Sequence, residues 1–371
     1  MFDFIPVQSY THYFDVAILI MILIAFWQCS KGVVLKDDIV QFNATWGFII
    51  AVVLILYMGL RPVSGAFGDT VNYAAQFRDI QAGIRKVEWT WSGEWLFNSL
   101  MEFTARYGSI HHLFFTCAFV YVSSFWLAMR RIFKSYYYIP FLVIICMFTF
   151  WSYGVNGVRN GVGASLFILA MTYVNNVPLM LTLCFCAIGF HTSVYLMIAA
   201  AALAWFVKNS YYYLAAWVLC VIVSYTAGYT IQNFLAALPI GIGDDRFAGY
   251  LTYTEEQMRM DGLVVSTRFR WDFIAYGALG VGIGYYFIFV RKFQDEYYHW
   301  IYNTFLALNA FWILIIRASY SNRFAQISWF IMPLVLIYPF MKQRFWLNHE
   351  KMLGYALLLF YAYTFYENFV R

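Results

Sequence analysis

Residues 14–30 read FDVAILIMILIAFWQCS, and this run of apolar side chains decides the class of the protein. The run contains one charged residue, Asp15, and is close in length to the about 20 apolar residues that cross a bilayer as a helix. Similar runs recur along the 371 residues, of which 63% are apolar and 12% are charged. Soluble domains carry about twice that charged fraction. The sequence therefore predicts an integral membrane protein.

About twelve apolar runs result when the chain is divided at its charged residues and at its Gly and Pro breaks. The sixth and seventh are short, and they are expected either as separate spans or as a tight hairpin of half-helices. The sequence thus predicts an all-α polytopic protein with a single membrane-embedded domain over 1–371. The predicted spans lie near 14–30, 43–60, 110–129, 137–153, 158–174, 178–190, 192–207, 211–231, 271–290, 297–316, 324–341 and 352–369.

The basic residues of the short loops set the predicted orientation, because such loops are retained in the cytoplasm when they are positively charged. With the N-terminus outside, four basic residues lie in short outer segments, namely Arg159, Arg317, Arg323 and Arg371. The planar fork of arginine suits bidentate contact with phosphate or carboxylate, so the chemistry is expected at the outer face. Eleven basic residues lie in the short cytoplasmic segments: Lys31, Lys36, Arg130, Arg131, Lys134, Lys208, Arg291, Lys292, Lys342, Arg344 and Lys351.

Two long outer loops, 61–109 and 232–270, hold most of the remaining charge. The first contains an amphipathic pattern that predicts a helix lying on the membrane surface, with Ser92 placed to cap it. The second mixes Gly, acidic residues and Arg without a clear period, and is predicted to form a partly ordered lid. The apolar stripe of the helix consists of Leu96, Leu100, Phe103 and Tyr107. The residues near its polar face are Glu94, Asn98, Glu102 and Arg106.

Asp69 is the first candidate catalytic residue, in the segment GAFGDTVNYAAQF just after the second span. An acid that follows Gly68 and precedes Tyr73 by four residues suits a general base or an acceptor for a sugar hydroxyl. The competing interpretation is a turn residue that caps a helix starting at Thr70.

Arg159 opens the fifth span, in NGVRNGVGASLF. An arginine within a bilayer is costly unless it lies at the interface or in a wet cavity with an anionic partner, which favours a phosphate ligand. The Gly157 and Gly161 pair also permits close backbone approach, so ordinary helix packing explains the same segment.

His191 lies between two apolar runs, in IGFHTSVYLMI. An imidazole has a pKa near neutrality and suits deprotonation of a hydroxyl, although a structural histidine at the interface explains the same position. His111 and His112 are adjacent and point in different directions on a helix, with no third ligand nearby. The six cysteines lie in apolar runs without CxxC spacing, so no metal site is predicted.

Further arginines add positive charge to the outer face. Three or more of them converging with a His and an Asp would form a pyrophosphate site beside a base. A single arginine of this kind is more often a surface residue. The candidates are Arg317 and Arg323 in RASYSNRFAQ, and Arg246, Arg268 and Arg270 in the second long loop.

Taken in order, GDTVNY, GEWLFNSLMEF, VRNGVGASLFILA, GFHTSVYLMI and NRFAQISWFIMPLVL resemble the EpsG-like polymerases of bacterial polysaccharide synthesis. These are a branch of the Wzy-type O-antigen and capsule polymerases, and the resemblance covers roughly residues 60–340. In that family an Asp precedes an aromatic-rich helix, an Arg usually followed by Gln opens a span, and a His precedes a small hydroxyl residue. Here Asn160 stands in place of the Gln.

The resemblance implies a GT-C-like glycosyltransferase in the bacterial inner membrane with its active site facing the periplasm. It would move a growing glycan from undecaprenyl pyrophosphate onto the non-reducing end of a lipid-linked repeat unit. No metal or other cofactor is implied, and a chain-length regulator protein is an expected partner. His191 or Asp69 would be the base. The expected phosphate ligands are Arg159, Arg323, Arg268 and Arg270, and further substrate contacts are expected from Arg246, Arg317, Glu94 and Tyr73.

Two other functions suit the same features. A transporter or flippase for lipid-linked sugars would also use an arginine-lined cavity but needs no base, and the chain shows no internal repeat of the kind many transporters have. A glycan ligase, or a monosaccharide transferase with a polyprenyl-phosphate donor, would use the same kinds of residue as a polymerase.

Overall fold

The computed structural model of the chain describes residues 4–86, 93–237, 260 and 269–369. Within these residues the secondary structure is helical and contains no strand, as the sequence predicts. The chain folds into two compact units. The first comprises Met1–Val194 and Phe340–Arg371, and the second comprises Tyr195–Pro339.

Among the described residues, the first unit contains nine α-helices before residue 194 and a final one near the C-terminus. Two short 3₁₀ turns, Gly65–Phe67 and Lys134–Tyr137, join some of them. The helices are α1 (Val7–Ser30), α2 (Asp37–Gly59), α3 (Thr70–Gln81), α4 (Trp95–Tyr107), α5 (Ile110–Phe133), α6 (Tyr138–Ile145), α7 (Phe148–Val155), α8 (Val158–Met171), α9 (Val177–Phe190) and α16 (His349–Phe369).

The second unit contains the remaining described helices. α12 ends in a π-helical turn, Tyr286–Val290, and α15 ends at Lys342, just beyond the boundary of the unit. These helices are α10 (Val194–Phe206), α11 (Ser210–Ala237), α12 (Trp271–Tyr285), α13 (Glu296–Leu314), α14 (Asn322–Trp329) and α15 (Met332–Lys342).

In the part of the chain that the structure describes, six helical segments are long and apolar enough to cross a membrane, which indicates a membrane protein. The twelve predicted spans are not confirmed, because several of the runs form helices of 8 to 14 residues. A helix of 14 residues is only about 20 Å long, less than the hydrocarbon core of a bilayer. The six segments are Val7–Ser30, Asp37–Gly59, Ile110–Ile145, Ser210–Leu235, Trp271–Val290 and Asn322–Lys342.

Helices α2 and α5 pack antiparallel in the first unit. Gly59 at the end of α2 lies against Phe115 near the start of α5, and Gly47 near the middle of α2 lies against Tyr137 just after α5. A Cβ at Gly47 would displace the Tyr137 ring, and one at Gly59 would lie 2.8 Å from the Phe115 backbone Cα. The close approach therefore places Asp69 and the start of α5 at one end of this pair, and Lys36 and Lys134 at the other end.

Helix α8 lies in the core of the first unit, and Arg159 is its one residue that is not fully buried. A Cβ at Gly161 would overlap the Tyr153 carbonyl oxygen, and one at Gly163 would lie 2.9 Å from Val194 Cγ2. The packing interpretation of the glycine spacing is therefore correct for Gly161. The same close packing fixes the start of α8, where Arg159 lies.

The predicted outer loop 61–109 contains α3 and α4. Helix α4 covers the amphipathic pattern and begins at Trp95 with Glu94 in the N-cap position, while its place on a membrane surface stays a prediction. It buries Phe97 and Met101 against the protein, while Phe103 and Tyr107 of the predicted stripe are exposed. Ser92, the predicted cap, lies outside the described residues.

In the second unit, a polar group on α13 links two neighbouring helices. Asn309 Oδ1 accepts a hydrogen bond from Trp217 Nε1 on α11 at 2.8 Å, and its Nδ2 donates to Ser328 Oγ on α14 at 2.9 Å. Helix α11 continues to Ala237, so the predicted lid 232–270 begins as helix. Most of that lid, 238–259 and 261–268, lies outside the described residues.

Candidate active site

Asp69 lies directly before α3, in a turn that is fixed to the end of α7. Its backbone N–H donates to Asn156 Oδ1 at 2.8 Å, and its Oδ1 accepts a longer hydrogen bond from Asn72 Nδ2 at 3.3 Å. The predicted capping bond to the first turn of α3 is not made, although Asp69 occupies the N-cap position. Asp69 is half-buried, so part of its surface is open to a ligand.

Gly68 makes this turn possible. Its φ is +58°, in the left-handed region that glycine adopts without a steric penalty. A Cβ at this position would also overlap the side-chain amide of Asn156, the group that holds the Asp69 backbone. Conformation and space both require glycine here.

Arg61 is a buried cation beneath the same turn. Its Nη1 donates to the Met58 carbonyl at 2.6 Å, and its Nη2 donates to the Val155 carbonyl at 2.8 Å and to Thr70 Oγ1 at 3.3 Å. The guanidinium also lies over the Phe114 ring, 4.3 Å from its centroid. Arg61 therefore ties the C-terminal ends of α2 and α7 to the first residue of α3. Burial lowers the pKa of Arg61 to about 10, which keeps it charged at neutral pH.

Arg159 is held by two neighbours that are distant in sequence. Its Nε donates to the Tyr73 hydroxyl at 3.2 Å, and its Nη1 forms an ion pair with Glu94 Oε2. The side chain of Glu94 is 5% exposed and that of Arg159 is 26% exposed. A guanidinium has five N–H donors, so the remaining ones can bind an anion or a sugar hydroxyl.

Tyr73 and Asp69 belong to the same electrostatic environment as Arg159. Burial raises the pKa of the Tyr73 phenol, and the adjacent Arg159 guanidinium opposes that change. The negative charge of Asp69 acts on both Tyr73 and Arg159. Tyr73 is therefore a neutral hydrogen-bonding group at physiological pH, not a phenolate.

His191 lies in an extended link between α9 and α10, with φ −156° and ψ 133°. Its Nδ1 accepts from the Ser193 backbone N–H at 3.1 Å and lies 2.8 Å from Ser193 Oγ. Its Nε2 lies 3.4 Å from Glu94 Oε1, and the side chain is 23% exposed. Ser193 Oγ also lies within hydrogen-bonding distance of Asn160 Oδ1 on α8, at 3.1 Å.

The structure thus brings five predicted residues together within the first unit. The Glu94 carboxylate is the centre of the group, because one oxygen contacts Arg159 and the other faces His191. Such a cluster can hold a sugar hydroxyl, remove a proton from it and present positive charge to an anion. The residues are Asp69, Tyr73, Glu94, Arg159 and His191.

Three other predicted arginines lie in the second unit. Arg270 forms a bidentate pair with Asp272, at 2.9 Å and 2.6 Å. Arg317 lies 4.8 Å from the Tyr229 ring centroid and 5.4 Å from that of Phe269. Arg323 lies 5.0 Å from the centroid of Tyr320. The remaining two, Arg246 and Arg268, lie outside the described residues.

The sequence interpretation missed the roles of the residues that support the cluster, although it had noted Asn160 in place of the family's Gln. Asn156 holds Asp69, and the Asn160–Ser193 pair holds His191, while Arg61 holds the turn before α3. Sequence proximity offered a weak signal, since Asn160 follows Arg159 and Ser193 follows His191 by two residues. Their partners become visible only in three dimensions. Among the described residues, no group of three or more His, Cys, Asp or Glu side chains is arranged to hold a metal ion.

We expect Gly68→Ala to lower the thermal unfolding midpoint by several degrees and to reduce activity at least about tenfold. Alanine in the left-handed region costs about 1–2 kcal/mol, and the added Cβ also displaces Asn156. Gly65→Ala is the matched control, because nothing lies within 4 Å of a Cβ at that position. Gly83→Ala tests strain alone, since Gly83 has a φ of +72° but open space around it. If Gly68→Ala behaves like Gly65→Ala, the turn does not position Asp69.

Comparison with known families gives a match over nearly the whole chain. The model of the EpsG family matches residues 44–371. No curated protein and no solved structure gives a significant match.

Proposed function

Since this chain belongs to the EpsG family, we propose that it is a GT-C-like polysaccharide polymerase of the Wzy type. In this proposal it transfers a growing glycan from undecaprenyl pyrophosphate onto the non-reducing end of a lipid-linked repeat unit. The observation that carries the proposal is the cluster around Glu94. It combines a half-buried acid, Asp69, with the Arg159 guanidinium held by Glu94, and an imidazole, His191.

In the proposed reaction, the acceptor hydroxyl loses its proton to Asp69 or His191. The hydroxyl oxygen then bonds to the anomeric carbon of the donor, and the bond between that carbon and the pyrophosphate oxygen breaks. The bonding electrons leave with undecaprenyl pyrophosphate. This leaving group is already a stable anion, so it needs positive charge more than a strong general acid.

Arginines are the proposed source of that charge. Arg159 still has N–H donors for an oxygen ligand, but Glu94 offsets its charge. In the second unit, Arg317 and Arg323 contact aromatic rings, and Arg270 already holds Asp272. Arg268 and Arg246 remain candidates from the sequence alone. The proposed partners are the lipid-linked oligosaccharide, membrane lipid and a chain-length regulator.

A product ladder tests the proposed reaction. Purified protein in lipid nanodiscs is incubated with undecaprenyl-pyrophosphate-linked repeat units, and the products are separated by size. A polymerase gives a series of products that differ by one repeat unit. A single addition would indicate a ligase or a monosaccharide transferase, and movement of the substrate across vesicle membranes without a new bond would indicate a flippase.

We also propose that the chain lies in the bacterial inner membrane with Asp69 on the periplasmic side. In a cysteine-free background, Gly65→Cys should react with an impermeant thiol reagent in intact spheroplasts. Ser135→Cys should react only after the membrane is permeabilised. Both positions are exposed and lie at opposite ends of the α2 and α5 pair. The reverse pattern would place the candidate site in the cytoplasm.

A further inference from the structure

The position of the proton on His191 follows from the Ser193 backbone. A backbone N–H can only donate a hydrogen bond, and that of Ser193 lies 3.1 Å from His191 Nδ1. The accepting nitrogen must therefore carry a lone pair. A neutral imidazole has one protonated and one unprotonated nitrogen, so the proton of His191 resides on Nε2.

The contacts of the Ser193 side chain hold the ring in this orientation. Ser193 Oγ lies 2.8 Å from His191 Nδ1 and 3.1 Å from Asn160 Oδ1, so the hydroxyl links the His191 turn to α8. Helix α8 can approach this closely because Gly163 has no side chain, and a Cβ there would lie 3.1 Å from the Ala187 carbonyl oxygen and 3.5 Å from His191 Cβ. The ring is thus fixed to the same helix that carries Arg159.

The protonated Nε2 faces a carboxylate. It lies 3.4 Å from Glu94 Oε1, and Glu94 Oε2 pairs with Arg159. The alternative tautomer would place an N–H of the ring against the N–H of Ser193 and a lone pair against the Glu94 carboxylate. The Ser193 hydroxyl, 2.8 Å from Nδ1, can donate to Nδ1 in one tautomer and accept from it in the other, so it does not select between them. The backbone N–H and the carboxylate both disfavour the alternative tautomer, so the Nε2–H form should exceed it by about tenfold or more.

We propose that His191 is a positioning residue and does not accept the proton of the acceptor hydroxyl. Its Nε2–H faces Glu94 Oε1 at 3.4 Å, and this electrostatic contact orients the carboxylate that pairs with Arg159. Asp69 then remains as the base. This inference rests on the proposed function and narrows the choice between its two candidate bases.

Two substitutions of His191 separate positioning from base catalysis. His191→Gln places an amide N–H donor near the position of Nε2 but cannot take up a proton. His191→Asn can accept from Ser193 as Nδ1 does, but it is too short to reach Glu94. If His191 positions Glu94, His191→Gln should retain activity within about tenfold of wild type, while His191→Asn and His191→Ala should fall by about 100-fold or more.

The opposite kinetic result would overturn the proposal. The variant His191→Gln is first shown to be folded by its thermal unfolding midpoint. If it is nevertheless as inactive as His191→Ala, the reaction does not depend on a hydrogen-bond donor at this position. Chain-length distribution and initial rate are measured together, so that a change in processivity is not mistaken for a slower glycosyl-transfer step.

The tautomer itself is measured without any activity assay. Protein labelled with ¹⁵N-histidine is studied by NMR at neutral pH, and the His191 signals are assigned by their absence from His191→Gln. We expect an unprotonated Nδ1 and a protonated Nε2. His112 is the internal reference, because its Nδ1 accepts from the Ser109 N–H at 3.0 Å. A protonated Nδ1 on His191 would overturn the proposal even if polymerisation were never observed, which separates its failure from that of the proposed function.

Discussion

Asp69→Asn is expected to abolish polymerisation, with a loss of about 10² to 10⁴ in rate, the usual contribution of a general base. Asparagine keeps the shape of the side chain, and the backbone N–H of residue 69 keeps its bond to Asn156. It cannot take up the proton of the acceptor hydroxyl. Donor binding should therefore survive while the bond-forming step stops.

Asp79→Asn is the matched control for this experiment. Asp79 lies on the same helix, α3, and its side chain is exposed. The variant should polymerise normally, so a loss confined to Asp69→Asn separates the missing base from the lower charge of α3. Binding of the lipid-linked donor to each purified variant is measured beside the product ladder. If Asp69→Asn retains near-normal chain growth, Asp69 is not the base and Glu94 is the next carboxylate to test.

The second large effect is expected from Arg159→Lys, which keeps the charge but should lower polymerisation by about 100-fold. The guanidinium contacts Tyr73 through Nε and Glu94 through Nη1, and a single ammonium group cannot reproduce this planar arrangement. Hydrogen bonds that involve charged groups contribute about 1.5–3 kcal/mol each, and a loss of about 3 kcal/mol corresponds to about 100-fold. Initial rates of chain growth provide the measurement.

Arg106→Lys is the control for this substitution. Arg106 pairs with Glu102 one helical turn away on α4, and its side chain is 64% exposed. A lysine maintains such a surface pair, so this variant should be nearly as active as wild type. If Arg159→Lys makes products of normal length and Arg159→Ala does not, the site needs a positive charge but not the planar geometry of a guanidinium.

One interpretation of the sequence was a helix that starts at Thr70, directly after Asp69, and the sequence also placed Arg159 at the opening of another helix. The structure has α3 and α8 at these positions, because the start of a helix depends on local features. The arrangement of Glu94 depends instead on contacts 65 residues away, with Arg159, and on the break at His191 that separates α9 from α10. A single sequence contains no record of which distant side chains meet.

The number of membrane spans is a second feature that the sequence alone did not determine. Apolar runs establish which segments partition into lipid, and the family pattern identifies the motifs, so the membrane class and the helical fold follow from the sequence alone. An apolar run does not specify whether it forms one long helix or a buried helix of 8 residues, as α7 does. That is decided by packing, where Gly161 and Gly163 permit close contact with neighbouring groups.

Composition and local periodicity thus determined the environment of this protein, its helices and the residue types available for chemistry, because these depend on near neighbours and on the solvent. Tertiary structure alone decided that Glu94 lies between Arg159 and His191, and that Asn156, Asn160, Ser193 and Arg61 support them. The reason is physical: the ion pair and hydrogen bonds act over a few ångströms in space, between residues that the chain itself keeps far apart.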